Sequence, residues 1–129
     1  MSRVRQRGTA AELAVGKLLR ESGLSYRLNV KSLPGSPDFA NRLRRWAIFV
    51  HGCFWHHHTA CQRATVPKSN RTFWSKKFAD NRRRDARDIR LLRRRGFRVL
   101  IVWECETKRS YALTTRFSKV LKSGRIGMP

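Results

Sequence analysis

Hydrophobic and polar positions divide the chain into segments with distinct periods. Over Thr9–Gly23, Ala11, Val15, Leu18 and Ser22 fall on one stripe with Leu19 beside it, the spacing of an amphipathic helix. Thr9 and Glu12 have the separation of a capping box, and Gly23 supplies the stop. Short strands are predicted around Tyr26–Val30 and Asp38–Ala40, on either side of the turn-forming run Leu33-Pro34-Gly35-Ser36-Pro37. Trp46–Val50 is continuously apolar, as expected of a strand covered on both faces. Phe97–Trp103 repeats that pattern, broken only by Arg98. Between these two runs lie a loop from His51 to about Lys68 and a long helix. Ser69 or Asn70 would cap that helix, which reaches Arg95 and is ended by Gly96. A short amphipathic helix is predicted from about Ser110 to Leu121, followed by a frayed Lys122–Pro129. The order α-β-β-β-α-β-α predicts an α/β fold, a mixed central sheet flanked by helices, in one domain over residues 1–129.

Charge narrows the partners. Thirty Lys and Arg stand against eight Asp and Glu, a formal net charge of +22. A compact fold with that imbalance repels itself unless a polyanion binds it, and nucleic acid is the commonest such partner. The 40% hydrophobic content argues against a disordered basic tail. The sequence contains neither a membrane-spanning apolar run nor a signal-peptide core, so a soluble, cytoplasmic protein is expected. As a DNA-binding protein it is expected to be nucleoid-associated, and a monomer. Three cysteines, an odd number in a reducing compartment, suggest metal binding sooner than a disulfide framework.

With acids this scarce, each one the pattern turns inward is informative. Asp38 opens a strand directly after Pro37, a pair that resembles the hallmark of a large nuclease superfamily whose Asp binds the metal that activates water, although Pro-Asp is also ordinary turn chemistry. Asp85 shares a stripe with Trp74, Phe78, Asn81, Ile89 and Leu92, and a carboxylate buried there needs a histidine, an arginine or a metal as partner. All four histidines fall in His51-Gly52-Cys53-Phe54-Trp55-His56-His57-His58, beside a predicted buried strand, where ligands and a proton acceptor are both plausible. Cys53, His58, Cys61 and Cys105 can together form a closed zinc site, although their spacing is not that of a standard finger and three buried free cysteines, behaving as small hydrophobes, are the alternative. Phe54, Trp55, Phe73 and Trp74 interleave with this chemistry. Core packing is the default for aromatics, but on a basic surface they can wedge between bases. The capping role alone accounts for Glu12.

Taken together, these segments resemble the very short patch repair (Vsr) endonuclease family over almost the whole chain. The carrying residues are Leu33-Pro34-Gly35-Ser36-Pro37-Asp38-Phe39, the histidine run from His51 to His58, and Val66-Pro67-Lys68-Ser69-Asn70. Phe73-Trp74, Asn81 to Asp85, and Arg98-Val99-Leu100-Ile101-Val102-Trp103-Glu104-Cys105 continue the match. The resemblance implies a restriction-endonuclease-like core with a structural zinc, nicking one strand 5′ to the thymine of a T:G mismatch left by 5-methylcytosine deamination. It implies that Asp38 and the Val50 backbone carbonyl bind Mg²⁺ and that His56 is the general base. His51 and Asp85 would support the attacking water and the phosphate, and Glu12 would be an acid near the site. It also implies Cys53, His58, Cys61 and Cys105 as zinc ligands, Phe54, Trp55 and Trp74 as intercalating aromatics, and Lys77 near the mismatched pair. Phe49-Val50-His51 stands where the wider nuclease superfamily carries an acid and a lysine, which is the Vsr variant. The chain starts where the family's N-terminal arm is usually under way, which implies a weaker clasp on the minor groove. Beside this enzyme, a related endonuclease with a different mismatch or sequence target, and a non-catalytic zinc-stabilised DNA-binding module, remain alternatives.

Overall fold

The computed structural model describes residues 9–52 and 71–122. Helix α1 (Ala10–Glu21) is capped by Thr9, whose hydroxyl accepts the Glu12 N–H at 3.2 Å. The helix ends where Gly23 takes φ +76, a left-handed conformation that costs glycine little. Four strands follow: β1 (Arg27–Leu28), β2 (Phe39–Asn41), β3 (Trp46–His51) and β4 (Arg98–Trp103). They form one sheet in the order β1-β2-β3-β4. The first two pairings are antiparallel and the third, β3 with β4, is parallel. Helix α2 (Arg71–Arg94) makes the crossover that a parallel pair requires. Helix α3 (Ser110–Phe117) closes the fold, running on into a wider turn over Ser118–Lys122.

The period of two along β3 sorts its side chains between two cores. Trp46 and Ile48 pack with Phe39, Leu100 and Val102 under α1 and α3, against Val15, Leu19, Leu113 and Phe117. Ala47 and Phe49 point the other way, joining Leu33, Ala40, Phe97 and, from α2, Leu92. The architecture is thus three layers, helices on both faces of a mixed sheet, as the element order predicts. Each large side chain fully withdrawn from water contributes about 1.5–3 kcal/mol, so Trp46, Phe39, Phe78 and Phe117 anchor the layers.

Three local expectations need correction. The strand expected over Tyr26–Val30 shrinks to Arg27–Leu28, both exposed, because β1 is an edge strand with only β2 as neighbour. β4 is not uniformly buried. Leu100 and Val102 face the tightly packed α1/α3 side, while Val99, Ile101 and Trp103 are half-buried under the looser α2 side. The inward stripe of α2 is likewise buried only at Phe78 and Leu92, with Trp74, Asn81, Asp85 and Ile89 half-exposed. A further short 3-10 helix, Glu104–Lys108, was not anticipated. The expected caps Ser69 and Asn70 lie outside the described residues.

Candidate active site

Among the described residues, Asp38, Val50, His51 and Asp85 lie toward one end of the sheet, at the carboxyl end of β3, where α/β folds commonly place their ligands. Asp38 stands immediately before β2, and its Oδ2 accepts the backbone N–H of Val50 at 2.7 Å. The carboxylate is therefore oriented by the neighbouring strand. Its own carbonyl accepts the Asn29 N–H at 3.0 Å, and the Pro37 carbonyl accepts that of Val30 at 3.1 Å, so both sides of the turn hold it.

The Val50 carbonyl follows from the same register. Phe39 pairs with Ile48, so two further steps set Val50 opposite position 37. In an antiparallel ladder such partners exchange both N–H···O bonds, but residue 37 is proline and has no N–H to give. β2 therefore offers the Val50 carbonyl no ladder donor, and because the Pro37 carbonyl accepts from Val30, the Val50 N–H donates to the Asp38 carboxylate. The Asp38 carboxylate and the Val50 main-chain carbonyl are both hard oxygen donors, the ligand type that magnesium takes. The donor set fits the expected ion.

His51 is the next residue on β3 and so projects to the opposite face, toward α2. It is buried, and its Nε2 lies 3.9 Å from Asp85 Oδ2 on that helix. At that separation the two are electrostatic neighbours more than a tight hydrogen bond. Asp85 thus has the partner a partly buried carboxylate needs, and that partner is an imidazole. Trp103, the ladder partner of His51, packs edge-on against it with ring centroids 5.2 Å apart, and the Phe49 ring centroid lies 6.1 Å away. The role of Trp103 escaped the sequence reading, although strand pairing of two aromatics at the carboxyl ends of apolar runs was the signal for it.

The turn after β4 is also pinned. Glu106 accepts the Trp103 N–H at 2.9 Å and an Arg116 guanidinium N–H at 3.1 Å, while Arg116 also donates to the Ile101 carbonyl at 2.8 Å. These bonds tie α3 to the strand end that carries Trp103, Glu104 and Cys105.

Asp38, Val50, His51 and Asp85 are therefore brought together in two adjoining pairs. Glu12 is buried in the first turn of α1, capped as predicted. Cys105 is half-buried in the turn after β4. Trp74 is half-buried near the start of α2, between the rings of Phe73 at 5.3 Å and Phe78 at 5.9 Å, and Phe73 and Lys77 are exposed. Cys53, Phe54, Trp55, His56, His58 and Cys61 lie outside the described residues. Among the described residues, no group of three or more His, Cys, Asp or Glu is placed to hold a metal ion. No described helix is long and apolar enough to cross a membrane.

Comparison with known proteins gives a consistent family. Residues 1–63 match the family model described as DNA mismatch endonuclease Vsr. The chain is 44% identical over 121 residues to the type II nicking enzyme V.XorIIP of Xanthomonas oryzae, covering 94% of this chain and 88% of that one. It is 46% identical over 114 residues to the DNA mismatch endonuclease Vsr of Escherichia coli, covering 88% and 72%. To the type II nicking enzyme V.NmeAIP of Neisseria meningitidis it is 35% identical over 122 residues, covering 95% and 86%. Identity of this extent over nearly the whole chain establishes that the chain belongs to the Vsr family of DNA mismatch endonucleases and is an endonuclease.

Proposed function

We propose that this endonuclease nicks one strand of duplex DNA 5′ to the thymine of a T:G mismatch, in a reaction that requires Mg²⁺. The observation that carries the reading is the Asp38 carboxylate held by the Val50 N–H beside a carbonyl that β2 cannot satisfy. Asp38 and the Val50 carbonyl would hold the ion, and His56 would accept the proton of the attacking water. When bound, the magnesium supplies charge stabilisation to the phosphate and to the departing oxygen. His51 would hold the phosphate from the α2 side, with Asp85 orienting the imidazole. Glu12 lies on the helix that packs against the turn after β4, as a further acid close to the reacting end.

Cys53, His58, Cys61 and Cys105 would form a structural zinc site, joining the histidine segment to the turn that Glu106 and Arg116 pin. Such a clasp sets the reach of His56 toward the ion without taking part in the chemistry. Phe54, Trp55 and Trp74 would enter the base stack beside the mismatch, where unstacking costs least, with Lys77 close to the mismatched pair. The core would be that of the restriction-endonuclease class, working in the cytoplasm on double-stranded DNA.

A nicking assay on T:G, matched and other mismatched duplexes, each with and without Mg²⁺, tests the reading. Mg²⁺-dependent nicking of the T:G duplex in clear preference to the others is the expected result. Preference for another mismatch would assign a different target to the same site. Tight binding with no cleavage in any duplex would make the chain a binding module and end the proposal.

A further inference from the structure

A second concentration of charge lies at the other end of the sheet. The β2–β3 turn carries Arg42, Leu43, Arg44 and Arg45, all exposed, with Leu43 at 95% exposure. Arg93 and Arg94 extend from the last turn of α2 beside it, also exposed. The two segments are locked together by main-chain and guanidinium bonds. The Arg98 N–H donates to the Arg45 carbonyl at 2.8 Å, the Arg98 guanidinium to the Arg44 carbonyl at 3.0 Å, and the Arg45 guanidinium to the Arg95 carbonyl at 3.3 Å. Residues 39–79 and 89–103 contain no Asp or Glu. Among the described residues, no ion pair reaches Arg42, Arg44, Arg93 or Arg94.

The dipole of α2 favours cations at its C-terminus and so explains Arg93 and Arg94 in part. It does not explain a rigid turn that presents three more arginines and a bare leucine beside them. None of the bonds that lock the turn uses the side chains of Arg44, Arg93 or Arg94, so the fold itself does not require their charge.

We infer that this arginine platform is a second DNA-binding surface, taking the phosphate backbone of a duplex segment other than the one held at the candidate active site. The platform and the candidate active site lie at opposite ends of β3. β3 runs from the platform at Trp46 to the site at His51, five steps of about 3.3 Å, so roughly 17 Å separate two ends that face opposite ways. Duplex DNA, with a persistence length of about 50 nm, does not fold back around such a body. The occupant is another duplex or a distant stretch of the same one. Holding both lets the enzyme pass between segments while it searches, a use of sequence-independent phosphate binding. The inference stands apart from the preference for T:G, since it concerns backbone contacts only.

The test is a bridging assay with the full chain. A short duplex covering one site is immobilised and saturated with protein, and a second, fluorescent duplex is then offered. Wild type captures the second duplex, with capture falling steeply as salt rises. The triple variant Arg44→Gln, Arg93→Gln, Arg94→Gln nicks the short duplex as wild type does but loses capture, and the salt slope of any residual capture drops by about three. Lysine at the same three positions restores capture, which separates charge from any effect on folding. The inference is overturned if wild type captures nothing, if the glutamine variant captures normally, or if it loses binding of the short duplex in parallel. Capture of polyglutamate in preference to duplex overturns it too, in favour of an acidic protein partner.

Discussion

The Val50 main-chain N–H donates to the Asp38 carboxylate at 2.7 Å, so the acid that opens β2 is aimed by the backbone of the adjacent strand. The Pro37 carbonyl, the ladder acceptor the Val50 N–H would otherwise use, accepts from Val30 instead at 3.1 Å, and Pro37 has no N–H to give the Val50 carbonyl. The strand pair is thereby frayed by one position, and the fray lies where the site is.

Asp38→Asn keeps an oxygen that can accept from Val50 while removing the charge. Fold and DNA affinity should be preserved and nicking should fall by more than about 100-fold, because residues that merely support a metal ligand are worth 10–100-fold. Thermal unfolding, a binding isotherm and a nicking rate on one preparation decide it. Nicking near the wild-type rate would remove Asp38 from the site.

The His51–Asp85 pair should act as a unit. Asp85→Asn alone is expected to slow nicking by roughly 10–100-fold, the usual cost of losing a supporting partner. His51→Ala combined with Asp85→Asn should then be little worse than His51→Ala, because each acts through the other. Multiplicative losses in the double variant would show that the 3.9 Å approach carries no functional coupling.

Gly35 occupies a turn at φ +76, and a Cβ there would come within 3.0 Å of Asp88 Cβ and of Phe49 Cε1. Gly35→Ala is therefore strained in backbone and in space, and a loss of about 1–3 kcal/mol is expected. Denaturant unfolding of the variant measures it. An unchanged midpoint would mean that the turn moves freely under α2.

Removal of zinc tests the clasp. Protein purified without chelator should carry one equivalent of zinc by elemental analysis, and Cys105→Ser should lose it together with several degrees of melting temperature. Full zinc content in Cys105→Ser would exclude this cysteine as a ligand, whatever holds the metal elsewhere.

Much of the arrangement was legible without coordinates, because short-range physics writes it into the residue order. The capping pair Thr9/Glu12, the glycine stops at Gly23 and Gly96 and the apolar run Trp46–Val50 each specify their element locally, and the structure follows them. The scarcity of acids singled out Asp38 and Asp85 before either had a neighbour. Periodicity, by contrast, records which side chains face inward but not how closely the covering layer fits. The half-exposure of β4 and α2 on one side of the sheet was therefore invisible, as was the shortness of the edge strand β1. Contacts across the chain were equally hidden. That Asp38 accepts from Val50, that His51 meets both Asp85 and Trp103, and that arginines from a turn and a helix end share one platform all depend on strand register and crossover, which are settled only when the whole core packs.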